Sequence, residues 1–291
     1  AFIYETLPAG ELRTAIGESF ANLYDPAYSL VKSKLINNVA CEILFTGGIG
    51  SLQLCNDLSG RTVAPDNIEL NRTFPFAALQ VHRRGDWMVA IKGCSKYVWD
   101  FETNSSENWY GRNQSFGQLA IYSGKDAAGV VTAEASGTGY SGYDWSHIPG
   151  VTAPALSIAE VLADAKAFEW PRFSNEAFAS GVTDGRDGVY GYRFSDRTKG
   201  NGASTWIAPK LTARKSYFFC DNVVVALASD IDNTASSYPS HPTLIQNLLP
   251  SADTPISVNG SDITGLSYTA DITEDGPATL TDIAGNSYYI A

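Results

Sequence analysis

From Phe76 onward the chain is a succession of short runs rich in β-branched and aromatic residues, separated by turn signals, and this limits it to an all-β body. The clearest runs are Leu79–His82, Trp87–Ile91, Leu119–Tyr122, Val189–Phe194, Lys215–Phe219 and Val223–Ser229. Ser257–Val258, Leu266–Thr269 and Ser287–Ile290 follow, with Asn259–Gly260 and Gly285–Asn286 as hairpin turns. Asp57–Arg72 reads as loop, and Ile158–Phe168 as one short helix. Residues 1–46 differ: Leu12, Ile16, Phe20 and Leu23, then Leu30, Val31, Leu35, Val39 and Ile43, recur at helical spacing. The expected architecture is mainly β, a helical lead-in over 1–46 followed by a large antiparallel β-sandwich over 47–291.

A formal charge of -11 argues against nucleic acid and anionic membranes as partners. No run approaches the length of a membrane-spanning helix. The bases that cluster, Arg83, Arg84, Lys92, Lys96 and Arg112, form a local basic patch on an acidic body. Cys41, Cys55, Cys94 and Cys220 have neither CxxC spacing nor a nearby His, so zinc is not indicated. Buried free thiols are expected at Cys94 and Cys220, with one disulfide among the four left open. The residues following Ala1 do not read as a signal peptide and the sequence does not start with Met, so a processed or excised chain is expected.

The stretch Phe74–Ser123 carries the densest chemistry: two strand runs flank a polar segment, Glu102–Gln114, and such connections are where sites form. Glu102, Glu107, Asn108, Trp109, Tyr110, Arg112, Asn113 and Gln114 combine carboxylates, amides, aromatics and a guanidinium. Aromatic faces cover sugar rings, amides read hydroxyls and Arg neutralises an acid group, so this is a candidate sugar-binding surface, with a plain polar loop as the alternative. His82-Arg83-Arg84 could grip a carboxylate or sulfate bidentately, or be a solvated turn with its two charges pointing apart.

Three further segments are weaker. In Tyr143–Thr152, Asp144 and His147 could pair, yet GxSxG is absent, and a structural turn closing one sheet onto another is the expectation. Thr183–Gly188 is acidic and Gly-rich; calcium is conceivable but EF-hand spacing is missing, so a plain turn is expected and no cofactor is assigned. Asn71, Asn104, Asn113 and Asn259 begin glycosylation sequons too short to decide anything alone.

Taken in order, H-R-R-G-D-W (His82–Trp87), S-S-E-N-W-Y-G-R-N-Q-S-F-G (Ser105–Gly117), Y-D-W-S-H-I-P-G-V-T (Tyr143–Thr152), S-G-V-T-D-G-R-D-G-V-Y-G (Ser180–Gly191) and L-T-A-R-K-S-Y-F-F-C-D-N (Leu211–Asn222) resemble the central β domain of polysaccharide lyase family 8, nearest to chondroitin ABC lyases. The resemblance covers roughly residues 74–290. It implies an antiparallel β super-sandwich of galactose-mutarotase-like architecture following a catalytic α/α toroid, of which residues 1–46 would be the last helices. It implies β-elimination at a uronic acid: a base removes the C5 proton, the developing enolate is neutralised, and an acid protonates the leaving O4.

By position, the family's cleft Arg and Glu fall on Arg112 and Asp187, and a further cleft carboxylate falls on Glu102; these are the implied catalytic residues. Arg83, Arg84, Asn108, Trp109, Tyr110 and Gln114 are the implied substrate-binding set. The family's His and Tyr acid/base pair lies on the toroid, and residues 1–46 are too short to hold that domain. The expectation is therefore half an active site on a secreted or periplasmic chain, with an acidic polysaccharide and a helical toroid as partners. A non-catalytic carbohydrate-binding or structural sandwich, in which Arg112 and Asp187 form a structural ion pair, remains open. A mutarotase-like enzyme would need a His-based pair among His82, His147 and His241.

Overall fold

The computed structural model describes residues 8–15, 69–101, 109–127, 129, 131–138, 142–166, 174–195, 211–233, 238–265 and 275–291. The chain divides into two compact units, Ala1–Asn67 with Lys125–Ala133, and Ile68–Gly124 with Glu134–Ala291. Of the first, residues 11–15 form a helical turn and Lys125 bridges Val131. The rest of the two predicted N-terminal helices, with Cys41 and Cys55, lies outside the described residues. Among the described residues no helix is long and apolar enough to cross a membrane.

The second unit is built from antiparallel sheets. One runs β1 (Leu70–Phe74), β2 (Leu79–Arg84), β3 (Trp87–Lys92), β4 (Gln118–Tyr122). Another runs β6 (Ala179–Thr183), β7 (Gly188–Ser195), β8 (Thr212–Cys220), β9 (Val223–Asp232). A two-stranded ribbon pairs β5 (Thr152–Pro154) with β10 (Ser240–Pro242). The last sheet has β11 (Ile256–Val258) between β12 (Ser261–Ile263) and β13 (Ala278–Thr281), with β14 (Ser287–Ile290) outside β13. One helix, α1 (Ile158–Lys166), follows β5.

The alternation in the sequence becomes the two faces of each sheet. Tyr190, Tyr192 and Phe194 on β7 and Ala213, Tyr217 and Phe219 on β8 turn inward. They pack with Val89 and Ile91 from β3, and with Phe116, Ile148, Val151 and Leu211 from the connections. Both predicted late turns occur, with Asn259 and Gly260 at positive φ between β11 and β12, and Gly285 at positive φ between β13 and β14.

Several expectations change. Among the described residues strand structure begins at β1, inside the stretch read as loop, because Leu70–Phe74 pairs residue for residue with β2. Its pattern was masked by polarity: Asn71 is buried, donates through Nδ2 to His82 Nδ1 at 3.0 Å, and accepts from Gln80 Nε2 at 2.7 Å. The inward face of β2 is itself polar: Gln80 bonds Asn71 on the neighbouring strand, His82 bonds Asp221 O and Arg84 bonds Asp187. Cys94 is a buried free thiol as expected, but Cys220 is exposed, because the alternation of β8 turns its last residue outward. Leu266–Thr269 falls outside the described residues.

Candidate functional site

Two connections approach each other at one edge of the core. The first is a 3-10 helix, Gly111–Phe116, that enters β4 through Gly117; the second is the turn 143–150 that enters β5. Leu119 donates its backbone N–H to Pro149 O, and Gly150 donates to Thr243 O. Glycine is required where they meet. Gly117 has φ +103, and a Cβ there would strike the hydroxyls of Tyr192 and Tyr217; Gly150 has φ +78, and a Cβ there would strike the Gly117 carbonyl. Below them Lys215, buried on β8, donates from Nζ to Gly150 O at 2.7 Å.

The surface carried by these connections is aromatic. Tyr110 stacks on Trp145 with ring centroids 5.8 Å apart, and Tyr143 meets Trp145 edge-on at 4.9 Å. Tyr110 is exposed at 40%, while Tyr143 and Trp145 are half-buried against the core. Beside the platform, Asp144 Oδ2 lies 2.8 Å from His147 Nδ1, and Asp144 Oδ1 accepts from Ser146 Oγ at 2.5 Å. Burial works against the Asp144 charge, but the Ser146 and His147 hydrogen bonds outweigh it and hold the carboxyl below its ordinary range. His147 stacks on His241 at 4.5 Å, and burial, then the neighbouring His147, lower His241. Gln246 locks the turn, accepting from Asp144 N and donating to Asp144 O and His147 O.

The residues expected from the sequence divide. Tyr110 stands on this surface, with Trp109 and Gln114 half-buried on either side of it in the chain. Arg112 does not face out: it is fully buried, donates from Nη1 to Asn113 Oδ1 at 2.8 Å, and lies over the Phe116 ring. Glu102 and Asn108 lie outside the described residues.

Asp187 pairs with Arg84, not Arg112: Arg84 Nη2 donates to Asp187 Oδ1 at 2.8 Å while Arg84 itself is 3% exposed. Asp187 also accepts from Asp221 N at 2.9 Å, and this bond, opposed by burial and supported by Arg84, holds it below the usual carboxylate range. Arg84 is thus neither a free grip for a sugar acid nor a solvated charge, because β2 turns it inward while turning Arg83 to the other face. Thr183–Gly188 is the turn between β6 and β7, with Asp184 Oδ1 accepting from the N–H groups of Arg186 and Asp187. Among the described residues no group of three or more His, Cys, Asp or Glu could hold a metal ion.

Sequence reasoning missed Trp145 as a platform member, His241 as the partner of His147, and Lys215 as the support beneath them. The parity of Lys215 with Ala213, Tyr217 and Phe219 was a readable signal of its burial; the other two depend on contacts between distant segments.

Comparison with known proteins places this geometry. The family model described as polysaccharide lyase family 8, super-sandwich domain, matches residues 69–290. Chondroitin sulfate ABC exolyase of Bacteroides thetaiotaomicron is 33% identical over 183 residues, which cover 60% of this chain and 17% of that protein. The enzyme of the same name from Proteus vulgaris is 28% identical over 227 residues, 73% of this chain and 21% of that one. A Paenibacillus xanthan lyase structure superposes with a TM-score of 0.61 at 20% identity over 90% of this chain and 22% of its own, a likeness of fold. The chain thus spans about a fifth of the length of the curated relatives it matches. With that family model spanning its whole described β unit, this chain belongs to polysaccharide lyase family 8 and carries the family's super-sandwich domain.

Proposed function

We propose that this chain is the β domain of a lyase that cleaves uronic-acid-containing glycosaminoglycans of the chondroitin, dermatan or hyaluronan class by β-elimination, and that it binds polymer without turning it over alone. The observation that carries this reading is the match to two chondroitin sulfate ABC exolyases along the super-sandwich. The Tyr110–Trp145–Tyr143 platform supports it, since a pre-organised, partly exposed aromatic cluster suits the apolar faces of sugar rings.

In this reading the described residues bind and orient. Tyr110 and Trp145 take a sugar ring, Gln114 offers its amide to hydroxyls, and Arg112 and Arg84 act from within by fixing the segments around them. Proton abstraction from C5 and protonation of O4 require an acid and a base placed on opposite sides of one sugar bond. Those groups belong, in our reading, to a helical toroid partner docking near the 3-10 helix. A secreted or periplasmic location accords with polymers too large and charged to cross a membrane.

The test is ultraviolet absorbance of unsaturated uronate, with chondroitin sulfate, dermatan sulfate and hyaluronan offered separately to the 291-residue chain. No product, with retention on a chondroitin matrix that Tyr110→Ala weakens, is the expected result. Product from the chain alone would place a complete acid/base set within it and refute the half-site. Neither product nor retention would favour a structural sandwich module.

A further inference from the structure

His147 is more than a brace for its turn. Gln246 already closes that turn through three hydrogen bonds to the backbone of Asp144 and His147, so the imidazole is not needed to hold it. The side chains of Asp144 and His147 are nonetheless kept half-exposed, at 50% and 52%, beside the aromatic platform. All hydrogen-bond contacts of the ring fall on Nδ1, to Asp144 Oδ2 at 2.8 Å and Ser146 Oγ at 2.9 Å. Among the described residues Nε2 has no partner.

This arrangement fixes the chemistry of Nε2. The Asp144 carboxylate draws the proton of the neutral ring onto Nδ1, leaving Nε2 a bare lone pair that accepts from hydroxyls and opposes an anion. Protonation converts Nε2 to an N–H donor while Asp144 balances the new charge. The titratable and charged groups facing the ring are Asp144 on its own turn and His241 on β10, stacked at 4.5 Å. Burial first, and then the neighbouring His147, disfavour a positive charge on His241.

We propose that His147 Nε2, backed by Asp144 and His241, is a proton-gated subsite for the acid group, carboxylate or sulfate, of a sugar stacked on the Tyr110–Trp145–Tyr143 platform. This rests on the polysaccharide-binding reading above and adds the group that senses the sugar's charge. Anion binding is then stronger at about pH 5.5 than at about pH 8.

The experiment is calorimetric binding of chondroitin sulfate and hyaluronan hexasaccharides to the full chain at these two pH values, with His147→Gln and Tyr110→Ala alongside. The wild-type chain should gain roughly tenfold in affinity on acidification, and His147→Gln should lose that gain, its affinity no longer rising between the two pH values. A gain with both sugars assigns the carboxylate, because hyaluronan carries no sulfate; a gain with chondroitin sulfate alone assigns the sulfate. Tyr110→Ala should weaken binding at either pH. Binding with the same pH dependence in His147→Gln, or with none in wild type, overturns the subsite and leaves the platform standing. Absence of binding by wild type at both pH values overturns the platform reading and the subsite with it. A circular-dichroism melt of His147→Gln matching wild type separates these outcomes from misfolding.

Discussion

Lys215 Nζ donates to Gly150 O at 2.7 Å, so a buried ammonium on β8 supports the far end of the turn that carries Trp145 and His147. Desolvation pushes Lys215 down to about 7, against an unfolded value of about 10.4. Between those values the unfolded chain binds the extra proton, so this group makes stability rise with pH across that window; below it the full cost of burying the charge is present. Lys215→Met should therefore flatten the rise in urea midpoint between about pH 7 and about pH 9.5. An unchanged slope in the variant would mean the ammonium is solvated after all.

Gly117→Ala should destabilise the unit by about 2–4 kcal/mol, combining a left-handed backbone with collision against two buried tyrosine hydroxyls. Adding Tyr192→Phe removes one of those hydroxyls and should recover part of the loss, which thermal melts of the single and double variants would measure.

The Arg84–Asp187 pair gives an asymmetric prediction. Asp187→Asn leaves a buried guanidinium only the longer contact to Asp221 Oδ1 at 3.6 Å as counter-charge, whereas Arg84→Met removes the buried charge and leaves a carboxylate that reaches solvent, so Asp187→Asn should lower the melting temperature more. Asp187 titrates below its ordinary value, so its stabilisation is full above about pH 4 and fades as pH falls through the lower folded value. Acid titration of the melting temperature in wild type should show a drop there that Asp187→Asn lacks.

At the platform, Tyr110→Ala should weaken oligosaccharide binding roughly tenfold with little change in melting temperature, since the ring is exposed and its loss opens no core cavity. Trp145→Ala should weaken binding and stability together, because Trp145 also packs on the core. Equal binding by both variants and wild type would remove the sugar surface from this face.

The strands that could be read in advance are those whose inward face is apolar. β7 and β8 place Tyr190, Tyr192 and Phe194, then Tyr217 and Phe219, at every second position, and burial follows directly from that period. β1 escaped because its buried residue is Asn71, which reads as loop until Gln80 and His82 are seen to satisfy it. The motif order from His82 to Asn222 likewise contained the family, since it records which segments lie between which strands.

Sequence alone therefore determined the fold class, the family and the segments that gather at the site, because periodicity and motif order are local properties of the chain. Only the tertiary structure decided which side chains meet solvent there. Arg112 and Arg84, the charged residues that stood out most, were turned inward by a 3-10 helix and by strand parity, and Asp187 found Arg84 across the unit. Tyr110, Trp145, His147 and His241 became one surface only because the glycines at 117 and 150 let two connections touch. Burial and long-range proximity depend on how elements pack, and spacing along a chain does not encode them.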